Sequence, residues 1–174
     1  GLSAGGETLG FSTPRAEVDA LAEQAFGAAP AKSRNEECGA GPMDFSQFGP
    51  LQIAYLDGSF AGWFLRAGEG VVTADGIAPG VTTLDALQDE RQVQQLDTTL
   101  EGEFQYTTGD YGTITGFAAP DGSIDARQAG FSCFFRLTSS SHAPGYYSTC
   151  RPPSADAAFA GATDMYKSLH DPDR

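Results

Sequence analysis

The sequence has little of what most recognisable active sites need. Its 174 residues include two histidines and three cysteines. Neither histidine has the spacing of a metal site or accompanies a G-x-S-x-G nucleophile motif, and the cysteines lack the CxxC spacing of zinc and redox sites. There is also no Walker loop and no dinucleotide-binding glycine motif. We therefore expect no catalytic residues, no metal and no cofactor, and a protein that is not an enzyme. The residues concerned are His142, His170, Cys38, Cys133 and Cys150.

Basic residues and long apolar runs are also scarce. Ten Lys and Arg stand against 23 Asp and Glu, which gives a net charge of −13. The cations are scattered singly, so we expect no nucleic-acid partner, because phosphate binding needs a basic patch. No uncharged run approaches the roughly 18 apolar residues of a membrane span, so we expect no transmembrane segment in this chain. In so acidic a chain, neighbouring carboxylates such as Glu36 and Glu37 indicate a solvated surface rather than a catalytic pair.

Apolar residues are nevertheless sufficient for a folded core. Hydrophobic residues make up 40% of the chain, with 12 Phe among them. The clearest local signal is a helix near the start, with Thr13 as N-cap and Pro14 at the first helical position. Apolar residues recur at helical spacing from Val18 to Phe26, and Gly27 ends the helix.

A β-hairpin follows a long stretch without regular pattern. Residues 28–48 hold Gly, Pro and charge with no period, which indicates a long loop with at most a short strand, carrying Cys38. Residues 51–56 and 60–66 then predict two strands, joined by the tight-turn dipeptide Asp57-Gly58.

The second half of the chain echoes this plan. Thr82 and Asp85 resemble a capping box that opens a short helix through Leu84 and Leu87, and residues 121–123 repeat the Asp-Gly turn. The sequence therefore predicts an internal repeat. The strands predicted in this half are residues 98–108, 113–118 and 124–136.

The end of the chain predicts one more helix. Ser154 caps it, and an apolar stripe runs from Phe159 to Leu169, so we expect it to dock on the body of the protein. The predicted fold class is α+β, with two helix-plus-antiparallel-sheet units in tandem and a C-terminal helix. The predicted segments are a flexible N-terminus (1–8), a first unit (9–72), a second unit (73–151) and the C-terminal helix (152–174).

The aromatic residues around the first hairpin are the candidate binding residues: Phe48, Phe60, Trp63 and the neighbouring Arg66. Strand alternation would send Phe60 and Phe64 to one face and Trp63 to the other, so that both faces carry large apolar groups. An exposed aromatic sheet face would be an interaction surface. The other interpretation is that Trp63 belongs to the core, under the preceding loop.

The cysteines and the first residues bear on the compartment. Residues 131–137 and 146–151 indicate strands, so Cys133 and Cys150 could face each other across a hairpin. The start, Gly1 to Gly6, is typical of a tag remnant or of a flexible segment left after signal-peptide removal. We therefore expect an exported protein, in which a disulfide is expected as well.

Several short motifs resemble uncharacterised exported or lipid-anchored bacterial proteins. The architecture is similar to the tandem helix-plus-sheet repeats of beta-lactamase-inhibitor-like proteins and of small outer-membrane-assembly lipoproteins. The resemblance covers roughly residues 9–136, and it implies this fold, an extracytoplasmic location and a disulfide between Cys38 and Cys133. The chain departs from that pattern in having Cys150 and a terminal helix, no lipobox cysteine, and one short helix per unit instead of two. The motifs are residues 10–12, the helix around Val18, the Cys38 loop, residues 51–63, residues 73–82 and residues 129–136.

These observations predict a non-catalytic exported binding module that acts through protein–protein interaction. The partner would be an envelope or extracellular protein that meets the sheet face or the Cys38 loop. The alternative is a binder of a small ligand or cell-wall fragment in a cleft between the two units, held by Arg66, Arg127 or Arg136.

Overall fold

The protein is built around one large antiparallel sheet. The computed structural model describes residues 1–98, 100–108 and 112–131. These residues form two helices, α1 (Arg15–Phe26) and α2 (Leu84–Glu90). The strands are β1 (Leu2–Ala4), β2 (Glu7–Leu9), β3 (Ala31–Asn35), β4 (Met43–Phe48), β5 (Leu51–Leu56), β6 (Ser59–Arg66), β7 (Val93–Gln95), β8 (Glu103–Thr107), β9 (Thr113–Ala118) and β10 (Ile124–Gly130).

Eight of the ten strands share one sheet. Their order is β3-β4-β5-β6-β10-β9-β8-β7, and every neighbouring pair is antiparallel. Each half is a meander of four consecutive strands, and the last strand of each meander, β6 or β10, pairs with the other at the centre. The remaining strands, β1 and β2, form a separate hairpin.

The predicted fold class is therefore wrong. The described part of the chain is mainly β, with two short helices beside ten strands, rather than α+β with two helix-plus-sheet units in tandem and a C-terminal helix. The eight strands make one continuous sheet because β6 and β10 pair over five residues, from Ala126 opposite Arg66 to Gly130 opposite Gly62. The predicted C-terminal helix (152–174) and the strands predicted over 131–137 and 146–151 fall on residues beyond Phe131, outside the described part of the chain.

Helix α1 forms where the sequence predicts it. Its apolar side buries Val18, Leu21 and Ala22, and Gly27 ends it in the left-handed conformation, with its N–H donating to the Glu23 carbonyl. Its N-cap is Pro14 and not Thr13, and no side chain caps it.

Helix α2 begins one residue later than predicted. Thr83, not Thr82, is its N-cap, and the Thr83 hydroxyl accepts a hydrogen bond from the Ala86 N–H. The Thr82 hydroxyl instead accepts a hydrogen bond from the Ala78 N–H.

The two helix starts are tied to the sheet in the same way. Before α1, the Phe60 N–H donates to the Thr13 carbonyl and the Arg15 N–H donates to the Gly58 carbonyl, both at 2.8 Å. Before α2, the equivalent bonds run from Ile124 to Thr82 (3.0 Å) and from Leu84 to Gly122 (2.9 Å). These bonds hold Pro14 and Thr83 in extended backbone as the residues just before the helices, so Thr13 and Thr82 lie one residue too early to act as caps.

Both helices cover the same face of the sheet. Helix α1 packs through Val18 and Ala22 on a core cluster that includes Ile53 and Leu65, and α2 packs through Leu84 and Leu87 on a second cluster. The second cluster contains Phe104, Tyr106 and Ile124. Cross-strand partners share a face, and the row Leu51, Leu65, Arg127, Gly116 and Phe104 runs from one cluster to the other. We call this side of the sheet the helix face.

Two regions expected to be irregular are strands. The predicted loop over 28–48 contains β3 and β4, and the N-terminal segment expected to be flexible contains β1 and β2. Strand β4 gave no alternating signal because apolar side chains on both of its faces are buried, Met43 and Phe45 on one and Phe48 on the other. No helix among the described residues is long and apolar enough to cross a membrane.

Candidate binding face

The sheet face opposite the helices carries a row of uncharged side chains. Cross-strand partners follow one another over seven adjacent strands, and none of these side chains is fully buried. With strands about 4.8 Å apart, the row is about 29 Å long. We call it the glutamine row; it consists of Gln47, Gln52, Phe64, Gln128, Thr115, Gln105 and Gln94.

The ends of the row are ordered by amide hydrogen bonds. Gln105 Nε2 donates to Gln94 Oε1 at 2.8 Å, and Gln52 Nε2 donates to Gln47 Oε1 at 3.3 Å. Gln47 Nε2 also donates to the Gly49 carbonyl at 2.7 Å. An amide that bonds its neighbour through one group keeps further donor and acceptor capacity for another molecule.

Aromatic rings and one cation lie at the centre of this face. The rings of Phe64 and Phe117 are 6.5 Å apart between centroids, and both side chains are half-buried. The guanidinium of the exposed Arg66 lies 5.5 Å from the centroid of the Phe64 ring. The centre therefore combines apolar area with a donor group, a composition that protein interfaces favour.

Charge is sparse on this face. Among the described strand residues that point to it, the charged ones are Arg66, Glu103 and the exposed Asp125, which is the extra residue of the bulge between Ile124 and Ala126. This is notable in a chain with a net charge of −13. Depletion of charge at the centre distinguishes a protein interface from ordinary surface.

One corner of the face is covered by the Cys38 loop. Cys38, Met43, Phe45 and Ala54 form a small core cluster there, and Phe131 packs against it. Cys38 is disulfide-bonded and does not titrate as a thiol. Cys133 and Cys150 lie outside the described residues, so the pairing of Cys38 with Cys133 stays a prediction. The alternative pairing of Cys133 with Cys150 is incompatible with a bond from Cys38 to either of them.

The aromatic residues named as binding candidates lie on the helix face instead. Phe48, Phe60 and Trp63 are 3%, 2% and 8% exposed and belong to the core cluster under α1. Only Arg66, of the four candidates, is exposed on the opposite face. Trp63 is thus a core residue, in the cluster that also contains Val18 and Ala22 of α1.

A bulge explains why strand alternation misplaced these residues. Tyr55 pairs with Phe60 and Ala54 pairs with Gly62, so Ala61 has no partner of its own on β5. The extra residue reverses the phase of the strand, and Phe60 and Trp63 come to share a face. Phe64 remains on the other side, where it joins the glutamine row.

Arg127, proposed as a ligand-binding cation, is structural. It is 0% exposed on the helix face, where its NH2 group donates to Asp75 Oδ2 at 2.8 Å and its NH1 group to Asp75 Oδ1 at 3.2 Å. Thr73 also bonds Arg127, and Tyr106 donates its hydroxyl to Asp75 Oδ2 at 2.6 Å. Burial lowers the pKa of Arg127 from its ordinary value, against the opposing effect of Asp75. The other cation proposed for a cleft, Arg136, lies outside the described residues.

A second buried carboxylate, Asp19, lies on the buried side of α1. Asp19 accepts a hydrogen bond from the Tyr55 hydroxyl at 2.7 Å, and Arg15 and Lys32 each contact it at 3.3 Å. Burial acts to raise the pKa of Asp19, but hydrogen bonds from Tyr55, Ser46 and Lys32 outweigh it, so the pKa lies below its ordinary value. Burial together with Asp19 raises the pKa of Tyr55. Asp19 is therefore ionised and paired at neutral pH, which suits a structural role better than that of a general acid.

No group of three or more His, Cys, Asp and Glu side chains that could hold a metal ion occurs in the described ranges. The glutamine row escaped sequence analysis because its members come from seven strands. The local signal was present in part, since Gln52, Gln105 and Gln128 each occupy a polar position within a strand pattern. Knowing that these positions align requires the register of every strand pair.

Comparisons with known proteins add no relative. No protein-family model, no curated protein and no solved structure matches the chain. The resemblance to exported beta-lactamase-inhibitor-like proteins therefore stays a prediction.

Proposed function

We propose that this protein is a non-catalytic binding module that holds another protein on the face bearing the glutamine row. The observation that carries the proposal is the row itself. Uncharged side chains in register over seven strands, around a central pair of Phe rings, form a broad surface with little charge in a very acidic chain. Charge depletion and aromatic content at the centre are the composition of protein interfaces.

The shape of the surface favours a macromolecular partner over a small ligand. A row about 29 Å long on the sheet face opposite the helices has the dimension of a standard protein interface, whereas small ligands bind in concave pockets. The cleft proposed as the alternative loses Arg127, because that side chain is fully buried and paired with Asp75. A protein partner is thus the better supported candidate.

We propose an extracytoplasmic location for the module, in which the partner is an envelope or extracellular protein. The disulfide at Cys38 supports this location, because disulfides persist in oxidising compartments and are rare in the cytosol.

The proposal is tested by affinity capture with a pair of matched variants. The face variant, Gln52→Arg/Gln105→Arg, adds two charges to the glutamine row, and the control, Ala16→Arg/Ala20→Arg, adds the same charge to the exposed side of α1. Both are immobilised as full-length oxidised protein and exposed to the envelope and secreted fractions of the source organism. Their urea unfolding midpoints are compared with that of the unmodified chain to confirm folding.

We expect one protein to be retained by the unmodified chain and by the control and to be lost with the face variant, since buried unpaired charge opposes association. Equal retention by both variants would place the binding surface elsewhere on the molecule. No retention by the unmodified chain would contradict the proposed function.

A further inference from the structure

The proposed partner can be specified further from the charges at one end of the central strands, beside the glutamine row. At this end lie the β7–β8 and β9–β10 connections and the residues after β6, since Glu103 pairs with Phe117 and Ala126 with Arg66 there. The carboxylates placed at this end, which we call the acidic end, are Glu69, Asp97, Glu101, Glu103, Asp121 and Asp125.

The acidic end is not neutralised by the cations of the described residues. The ion pairs of the described residues lie elsewhere: they join Arg15, Lys32, Arg34 and Arg127 to four other carboxylates, on the helix face and around the start of β4. Arg91 lies over the Tyr106 ring of the helix face. Arg66 is thus the described cation placed at this end, where six carboxylates lie. Within the described residues, the carboxylates of the acidic end form no ion pair.

The acidic end therefore leaves a concentrated negative potential beside a face that is itself nearly uncharged. Such a field attracts a positively charged protein from a distance and raises its association rate, and it repels an acidic one. The uncharged row supplies the contact area once the two surfaces meet.

We propose that the partner of the glutamine row is a basic protein whose Lys or Arg side chains face the acidic end. This inference rests on the proposed function, because it assigns the chemistry of a partner bound to the same face. It adds that Asp97, Glu101 and Asp121 determine the rate of association more than the rate of dissociation.

The first arm of the test identifies what contacts the face. A photo-crosslinking amino acid replaces Gln105 in the full-length chain, and in a second sample it replaces Ala20 on α1. Each is irradiated with the envelope and secreted fractions, and the crosslinked products are identified by mass spectrometry. The expected product is a protein with positive net charge, crosslinked from position 105 and not from position 20.

The second arm measures association of the purified partner with two variants of equal net charge. Asp97→Asn/Glu101→Gln/Asp121→Asn neutralises the acidic end, and Glu17→Gln/Glu23→Gln/Asp89→Asn neutralises three exposed carboxylates of the helices. We expect the association rate constant to fall about three-fold or more with the first variant only, with the dissociation rate constant nearly unchanged. The same difference should shrink as ionic strength rises.

The outcomes separate this inference from the proposed function. A partner that crosslinks from position 105 but is acidic, or that associates equally fast with both variants, overturns the inference and leaves the binding module intact. Crosslinks from position 105 that reach only residues 132–174 of the same chain, or no crosslinks at all, overturn both.

Discussion

The buried pair of Arg127 and Asp75 allows the sharpest test of the structure. Arg127 is fully buried, and both of its terminal nitrogens bond Asp75, which also accepts hydrogen bonds from the hydroxyls of Tyr106 and Thr73. Asp75→Asn removes the negative charge and leaves the cation buried. Breaking a buried pair in this way costs about 3–5 kcal/mol, a large part of the stability of a domain.

The reciprocal change is expected to cost less. Arg127→Met removes the cation, but Asp75 keeps the two hydroxyl donors, so we expect a loss of about 1–3 kcal/mol. The double variant Asp75→Asn/Arg127→Met contains no unpaired charge. It should therefore be more stable than Asp75→Asn alone, although it carries one more substitution.

Urea unfolding followed by the fluorescence of Trp63, the single tryptophan, measures these differences. Leu65, two residues from Trp63, lies opposite Arg127 in the sheet, so unfolding of either half should reach the probe if the sheet is continuous. A loss below about 1 kcal/mol for Asp75→Asn, or a double variant whose loss equals the sum of the single losses, would refute the reasoning. If Asp75→Asn does not fold, a folded double variant still shows that the double variant is more stable than Asp75→Asn.

Further predictions concern backbone strain, acid stability and packing, each measured by urea unfolding. Ser12 has a φ of 73° and an exposed side chain, so Ser12→Gly should stabilise the fold by about 0.5–1 kcal/mol. Gly80 has a φ of 84°, so Gly80→Ala should destabilise the fold by about 1 kcal/mol or more. A change of the opposite sign in either variant would contradict the backbone geometry. Because the folded-state pKa of Asp19 lies below its ordinary value, its ionised form stabilises the fold at neutral pH, and this contribution is lost as the pH falls through the folded-state pKa. Asp19→Asn should therefore be less stable than the unmodified chain at pH 7 by about 1–3 kcal/mol. Between about pH 5 and 2 the variant should lose less stability than the unmodified chain, and equal losses in the two proteins would count against this. Gly116→Ala should cost about 1–3 kcal/mol, since the added methyl group would collide with the Phe104 ring, and a neutral effect would contradict the packing on the helix face.

Elements with local signals could be predicted from the sequence. The apolar spacing of α1, its end at Gly27 and the Asp57-Gly58 turn of the β5–β6 hairpin all depend on residues close in the chain. The structure confirms each of them. The same holds for the position of α2, to within one residue at its start.

The arrangement of the sheet could not be predicted in this way. The pairing of β6 with β10 joins residues more than sixty positions apart, and nothing in either strand indicates the other as its neighbour. Strand β4 was hidden because both of its faces are buried, and the bulge at Ala61 places Phe60 on the face of Trp63 instead of on the predicted face of Phe64. The candidate binding face depends on this register, so its residues became visible only with the sheet assembled.

The claim that the face bearing the glutamine row binds a protein is tested most directly by the side-chain amide signals of that row in ¹H–¹⁵N spectra. The labelled full-length chain is titrated with the protein that it retains by affinity capture. The account predicts that the side-chain amide signals of Gln52, Gln94 and Gln105 shift or broaden, while the backbone amide signals of α1 keep their positions. Changes confined to α1 and α2, with the glutamine signals unaltered, would contradict it.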